Sequence, residues 1–148
     1  MALQLSRGLT TKLLGTSSMK SLMEGGFLRI FTGSQPSTVE SVETGSLIAT
    51  LYGLAGTAGI NWGTASSGSL PKNATTLSGT AGIAGVAGWF RFYDINLFTG
   101  VDSAGTAVRF DGDIGTVTGA LKLSNTTFAV GSPVIIDSAQ FTVPADQS

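Results

Sequence analysis

The sequence predicts a mainly β fold, a sandwich or barrel preceded by a short N-terminal helix or arm. Three observations carry that reading. After Gly26 the apolar period changes from roughly four residues to two. Seven or eight short strand-like runs then follow one another with turn residues between them. Glycine occurs 21 times in 148 residues, about double its usual share. A chain of this length is one domain's worth of protein and should bury roughly two thirds of its unfolded surface. The natural division is an arm over residues 1–26 and a sandwich over 27–148.

Leu5, Leu9 and Leu13 recur at four-residue spacing with Arg7 and Lys12 off their stripe, so residues 2–14 read as a weak amphipathic helix. Gly8 and Gly15 each cost a helix about 1 kcal/mol relative to Ala, which leaves the segment dependent on packing. Ser17 or Ser18 can cap a second helix over 19–24, and Gly25-Gly26 supply a left-handed stop. Strands are expected at 27–31, 46–52, 89–95, 107–110, 116–123, 127–130 and 133–143, the last divided near Asp137-Ser138. The 89–95 run is the strongest, because its aromatic residues on both faces suit a strand buried on one side and half covered on the other. Residues 53–62 and 79–89 place glycine every third position before a tryptophan, without the proline a collagen helix needs; they read as loops or bent edge strands. Residues 64–73 read as an exposed loop.

Charged residues make up only 11% of the chain, against about 25% in an average protein, and the mean hydropathy is +0.32. Such a surface has few solvating groups, so part of it is expected to be covered by partners. The net charge is −1 and the eight Lys and Arg are scattered, which argues against direct nucleic acid binding. Without cysteine, a disulfide framework, a zinc knuckle and thiol catalysis are excluded. The opening residues lack the continuous apolar block of a secretion signal, so a cytoplasmic start is expected. Residues 44–71 carry no charge, yet polar and small residues dilute them too much for a transmembrane helix.

With no histidine, any acid–base role would fall to nine carboxylates. Their densest cluster, Asp111-Gly112-Asp113 with Asp102 upstream, lacks the further ligands of a calcium loop and reads as a polar turn. The glycine runs lack the Gly-Lys-Ser/Thr of a phosphate cradle, and a serine triad has no imidazole. The expectation is a protein that is not an enzyme and has no cofactor or metal. Asn73-Ala74-Thr75 and Asn125-Thr126-Thr127 match the glycosylation pattern by chance. Arg91 and Arg109, within aromatic strands, suit an ion pair or cation stacking with Asp94, Asp111, Tyr93 or Trp89 better than a carboxylate ligand.

Six strings carry a resemblance: FLRIFTGSQP at 27–36, TGSLIATL at 44–51, GWFRF at 88–92, VRFDG at 108–112, LKLSNT at 121–126 and IDS at 136–138. Together with the amphipathic opening, they resemble a family of small virion proteins of tailed bacteriophages. The likeness spans most of the chain and departs from the family at 53–88, where Gly and Ala ladders replace a more varied segment. It implies a head decoration, or cement, protein: a jelly-roll sandwich on the outer capsid surface, made in the host cytoplasm, paired with itself as a dimer or trimer and with a major capsid protein. Leu3, Leu5, Arg7, Leu9 and Lys12 of the arm, with Trp62, are the expected interface residues. A tail, neck or baseplate subunit is the alternative within that class. A carbohydrate-binding sandwich stacking sugars on Trp62, Tyr52 or Trp89 is the alternative outside it.

Overall fold

A computed structural model describes residues 3–53, 58–73, 76–136 and 139–142. In chain order these form β1 (Gln4–Leu5), α1 (Arg7–Leu14), α2 (Met19–Met23), β2 (Phe27–Thr32), β3 (Leu47–Leu51), β4 (Ser69–Pro71), β5 (Leu77–Thr80), β6 (Gly85–Tyr93), β7 (Arg109–Gly115), β8 (Leu121–Lys122), β9 (Thr127–Phe128), β10 (Pro133–Ile136) and β11 (Gln140–Thr142). The fold is mainly β with small helices near the N-terminus, as the period change predicts. Both helices start at a serine. Ser6 caps α1, and Ser18 forms a reciprocal capping box with Ser21 at α2. Gly25 leaves α2 in the left-handed region at φ 73°, the stop expected of it.

The main sheet runs β1-β7-β6-β2-β3, with β9 antiparallel on β6 and β8 parallel on β7. Because strand side chains alternate, its register sorts residues into two faces. Leu28 lies opposite Phe92, Ile30 opposite Phe90, and Phe92 opposite Phe110. This apolar face forms the core with Leu51, Trp62, Leu70, Val134 and Ile136. Phe92 stacks on Phe110 at 5.1 Å between centroids, Trp62 meets Phe92 edge-on at 5.9 Å, and Phe141 of β11 closes on Phe110 at 6.0 Å. The small β4–β11 sheet thus packs across the main one, as in a sandwich.

The second glycine ladder turns out to be a bent strand. Thr127 and Phe128 lie opposite Val86 and Gly85, and Pro133 to Ile136 lie opposite Thr80 to Leu77. One register therefore runs through both pairings, and the ribbon bends where Ala81 exchanges hydrogen bonds with Gly131 and Ser132. Tyr52 and Ser78 exchange bonds too, which ties this ribbon to the end of β3. A glycine is required where the ribbon runs into the main sheet: a Cβ on Gly88 would collide with the Gly33 carbonyl.

Two sequence expectations need correction. Residues 69–71, read as loop, pair as β4 with β11, because Leu70 is drawn into the core beside Phe141. Asp111-Gly112-Asp113, read as a turn, is the middle of β7, and the turn comes at 116–119 instead. The arm packs into the same core, since β1 is an edge strand of the main sheet and Leu9 is fully buried. Among the described residues, no helix is long and apolar enough to cross a membrane.

The ladder separates two kinds of glycine. Replacing Gly88 by Ala should lower unfolding free energy by about 1–3 kcal/mol, as overpacking does. Gly82→Ala, whose Cβ would meet only the Ile48 carbonyl at 3.9 Å, should stay within about 0.5 kcal/mol. Urea denaturation of both variants checks the contrast.

Candidate functional site

The opposite face of the main sheet carries charge instead of aliphatic side chains. Register alone lines up Gln4, Asp111, Arg91, Arg29 and Thr50 across β1, β7, β6, β2 and β3. In the adjoining row Arg109, Tyr93 and Phe27 stand side by side. Arg91 Nε and Nη2 donate to the two Asp111 oxygens at 2.5 and 2.7 Å, with both side chains wholly buried. Arg91 also lies 5.4 Å from the centroid of Trp89, whose indole stacks on Phe31 at 4.5 Å. These are two of the four partners its sequence context suggested.

What buries these charges is not a second sheet but two irregular segments, and the arginines themselves hold them. Arg91 Nη1 donates to the Ser41 carbonyl at 2.8 Å. Arg109 Nη1 donates to the carbonyls of Phe98 and Gly100 at 2.9 and 2.8 Å. The 35–46 strap is fastened further by Tyr93, which donates to Glu43, by the Arg29–Glu43 pair at 3.9 Å, and by Trp89 Nε1 on the Thr44 carbonyl. Burial opposes charge on Arg91, but Asp111 outweighs it and holds the guanidinium pKa above its usual value. Burial and then Glu43 push the Tyr93 hydroxyl well up. Burial and the neighbouring Arg91 push Arg109 down.

The arm is stitched to the edge of this face. Ser6 Oγ donates to the Ala107 carbonyl at 2.7 Å and accepts from the amides of Leu9 and Arg109 at 3.2 Å. Gly8 lets α1 lie directly on the Thr106–Ala107 backbone, where a Cβ would strike main-chain atoms. Arg7 N donates to Glu40 at 2.9 Å, and the Glu40 carbonyl accepts from Asp102 N at 2.9 Å. Asp102 in turn accepts from the amides of Thr106 and Ala107 at 3.1 and 2.9 Å. Burial alone would raise its carboxyl, but the Ala107, Thr106 and Gly105 amides and the Arg109 charge hold it below the usual carboxylate range.

The expected interface residues divide accordingly. Leu3 is 40% exposed, and Arg7 and Lys12 are exposed. Leu5 is half-buried against the core, Leu9 is inside it, and Trp62 is 8% exposed with its indole N–H on the Met23 carbonyl at 3.1 Å. Leu9 and Trp62 are therefore core residues, not exposed ones. Trp89 is fully buried as well, so neither indole offers a face to a sugar, and Tyr52 is half-buried edge-on to Phe27. Sequence reasoning missed Ser6, Glu40 and Ser41; of these only Ser6 had a local signal, a serine directly before an apolar period.

Among the described residues no catalytic constellation emerges. Among the described residues no three carboxylates, histidines or cysteines gather to hold a metal. Arg91 spends its donors on Asp111 and the Ser41 carbonyl, and Arg109 turns its two Nη groups to main-chain carbonyls. Asn125, in one glycosylation-like triplet, brackets Thr127 through both its amide atoms, as a turn residue does. No family model, curated protein or solved structure matches the chain.

The surface that remains is poor in charge. Five of the fifteen charged side chains among the described residues are buried: Lys72, Arg91, Asp102, Arg109 and Asp111. Meanwhile eleven large apolar side chains are exposed, including Val42 at 51%, Phe98 at 46% and Val101 at 58% on the two clamped segments. Beside Leu3, an apolar cleft of about 230 Å³ opens over Trp62, Phe90, Phe110 and Phe141.

Asp102 makes part of this architecture acid-sensitive. Its folded pKa lies below that of an unfolded aspartate, about 4, so its contribution is whole above that pH and is lost as pH falls through the lowered value. Asp102→Asn should cost roughly 1.5–3 kcal/mol at neutral pH, the worth of hydrogen bonds to a charged group. The gap to the native protein should close as the pH drops below about 4. Urea titrations at a series of pH values measure this; a gap independent of pH would contradict it.

Proposed function

We propose that the chain is a structural virion protein, a capsid decoration or cement subunit that stabilises a phage head by bridging capsomers. The observation that carries this reading is the distribution of charge. A chain with few charges commits a third of those described to its interior while leaving eleven large apolar side chains outside. A surface built this way suits burial against other protein. The six strings that resemble tailed-phage virion proteins support the same class. GWFRF and VRFDG supply Trp89, Arg91, Arg109 and Asp111, so the resemblance lies in residues that hold the fold together.

The mechanism needs no chemistry. Each contact across a seam that removes about 1,000 Å² or more from water reaches the size of a specific interface, and symmetric repetition multiplies it over a shell. The exposed positions available for such contacts are Leu3, Arg7 and Lys12 of the arm and Val42, Phe98 and Val101 of the clamped segments.

A density map of intact particles from the cells that make this protein provides the test. Copies of the sandwich on the outer head surface, lying across capsomer boundaries, are the expected result. Density confined to the tail, neck or baseplate, or no copies in the particle, would overturn it.

A further inference from the structure

We propose that the N-terminal arm, residues 3–14, is an exchangeable element that docks in the socket of a second copy of this chain. The inference rests on the reading of the protein as a self-assembling structural subunit and names how two subunits join.

The socket is defined by what fills it. β1 pairs Gln4 with Asp111 and Leu5 with Phe110 at the sheet edge, Ser6 bonds to Ala107 and Arg109, Gly8 lies on the Thr106–Ala107 backbone, Leu9 is fully buried, and Arg7 N reaches Glu40. All these partners lie at residue 40 or beyond, so an identical arm from another chain makes the same bonds. No new complementarity is needed, which is why swapping an identical element is a low-cost route to a dimer.

The hinge is short and lies at the surface. After α1 the chain folds back through Gly15 N on Thr11 and Lys12 and Ser17 N on Lys12. Leu14 is 89% exposed, and Gly15 and Thr16 are exposed too. Opening the chain here breaks the Ser17 N–Lys12 hydrogen bond and leaves α1, with its Gly15 cap bonds, intact together with its strand. In the closed form a short linker gives the arm an effective concentration on the order of millimolar. Copies crowded side by side on a particle compete at that level, and a short hinge favours exchange.

The chain has no cysteine, so Leu5→Cys with Phe110→Cys introduces one reporter pair. These residues lie directly opposite each other, next to the Ser6–Arg109 main-chain hydrogen bond, in the spacing that accepts a disulfide. The full chain is refolded at low micromolar and at about millimolar concentration, oxidised, and run on a non-reducing gel. The expected result is a covalent dimer whose share rises with concentration. A ten-residue Gly-Ser insertion between Thr16 and Ser17 should return the bond to within one chain. Light scattering of the cysteine-free protein guards against a folding defect: its doubled mass should halve on the same insertion. Bonds within single chains under every condition, or a dimer mass that ignores the insertion, would overturn arm exchange. Either outcome leaves the particle map untouched, and an exchanged dimer absent from virions would refute the cement reading alone.

Discussion

An ion pair with no access to water sits at the centre of the main sheet, and most of the architecture is arranged around it. Arg91 and Asp111 face each other across β6 and β7, both wholly buried. Removing one partner of such a pair costs about 3–5 kcal/mol, because the other charge is left stranded. Two charges are tolerable there only if every remaining donor finds an acceptor and water is kept away. Ser41 supplies a main-chain carbonyl to Arg91, Phe98 and Gly100 supply theirs to the neighbouring Arg109, and the segments that carry them become the cover. The sandwich therefore has one face closed by hydrophobic packing and the other by arginine-anchored loops.

The same constraint reaches the N-terminus. Asp111 is paired with Gln4, Arg109 bonds to Ser6, and Asp102, which steadies the 102–107 turn, meets the strap at Glu40. The arm, the strap and the β6–β7 connection form one polar unit at the sheet edge. Val42, Phe98 and Val101 stand exposed on that unit as a consequence. Their backbones are fixed by the arginines beneath them, which gives a charge-poor surface a rigid place to make contact.

Much of the fold was legible because local pattern and burial agree. The alternation in β2, β3 and β6 and the serine-capped, glycine-stopped α2 follow from short-range rules. The clamp was harder to see. Asp and Gly are depleted in strands, so Asp111-Gly112-Asp113 looks like a turn unless Arg91, twenty residues away, is known to lie opposite. The ladder at 79–88 hides its strand for a similar reason: two of its glycines, Gly79 and Gly88, answer to close backbone contacts, not to a side-chain period. Leu9 and Lys12 share a helix pattern that suits a docking arm as well as an internal one, and only the pairing of Gln4 and Leu5 with β7 decides between them.

Native-state hydrogen exchange on Asp111→Asn beside the unaltered chain tests this account most directly. If the buried pair holds the charged face, protection should fall together at the amides of Ser6, Leu9, Thr106, Ala107 and Arg109, while Ser78 and Gly131, in the ribbon on the far side of β3, exchange as before. Equal loss of protection at both sets, or none at either, would contradict the claim that one ion pair organises the arm and the cover.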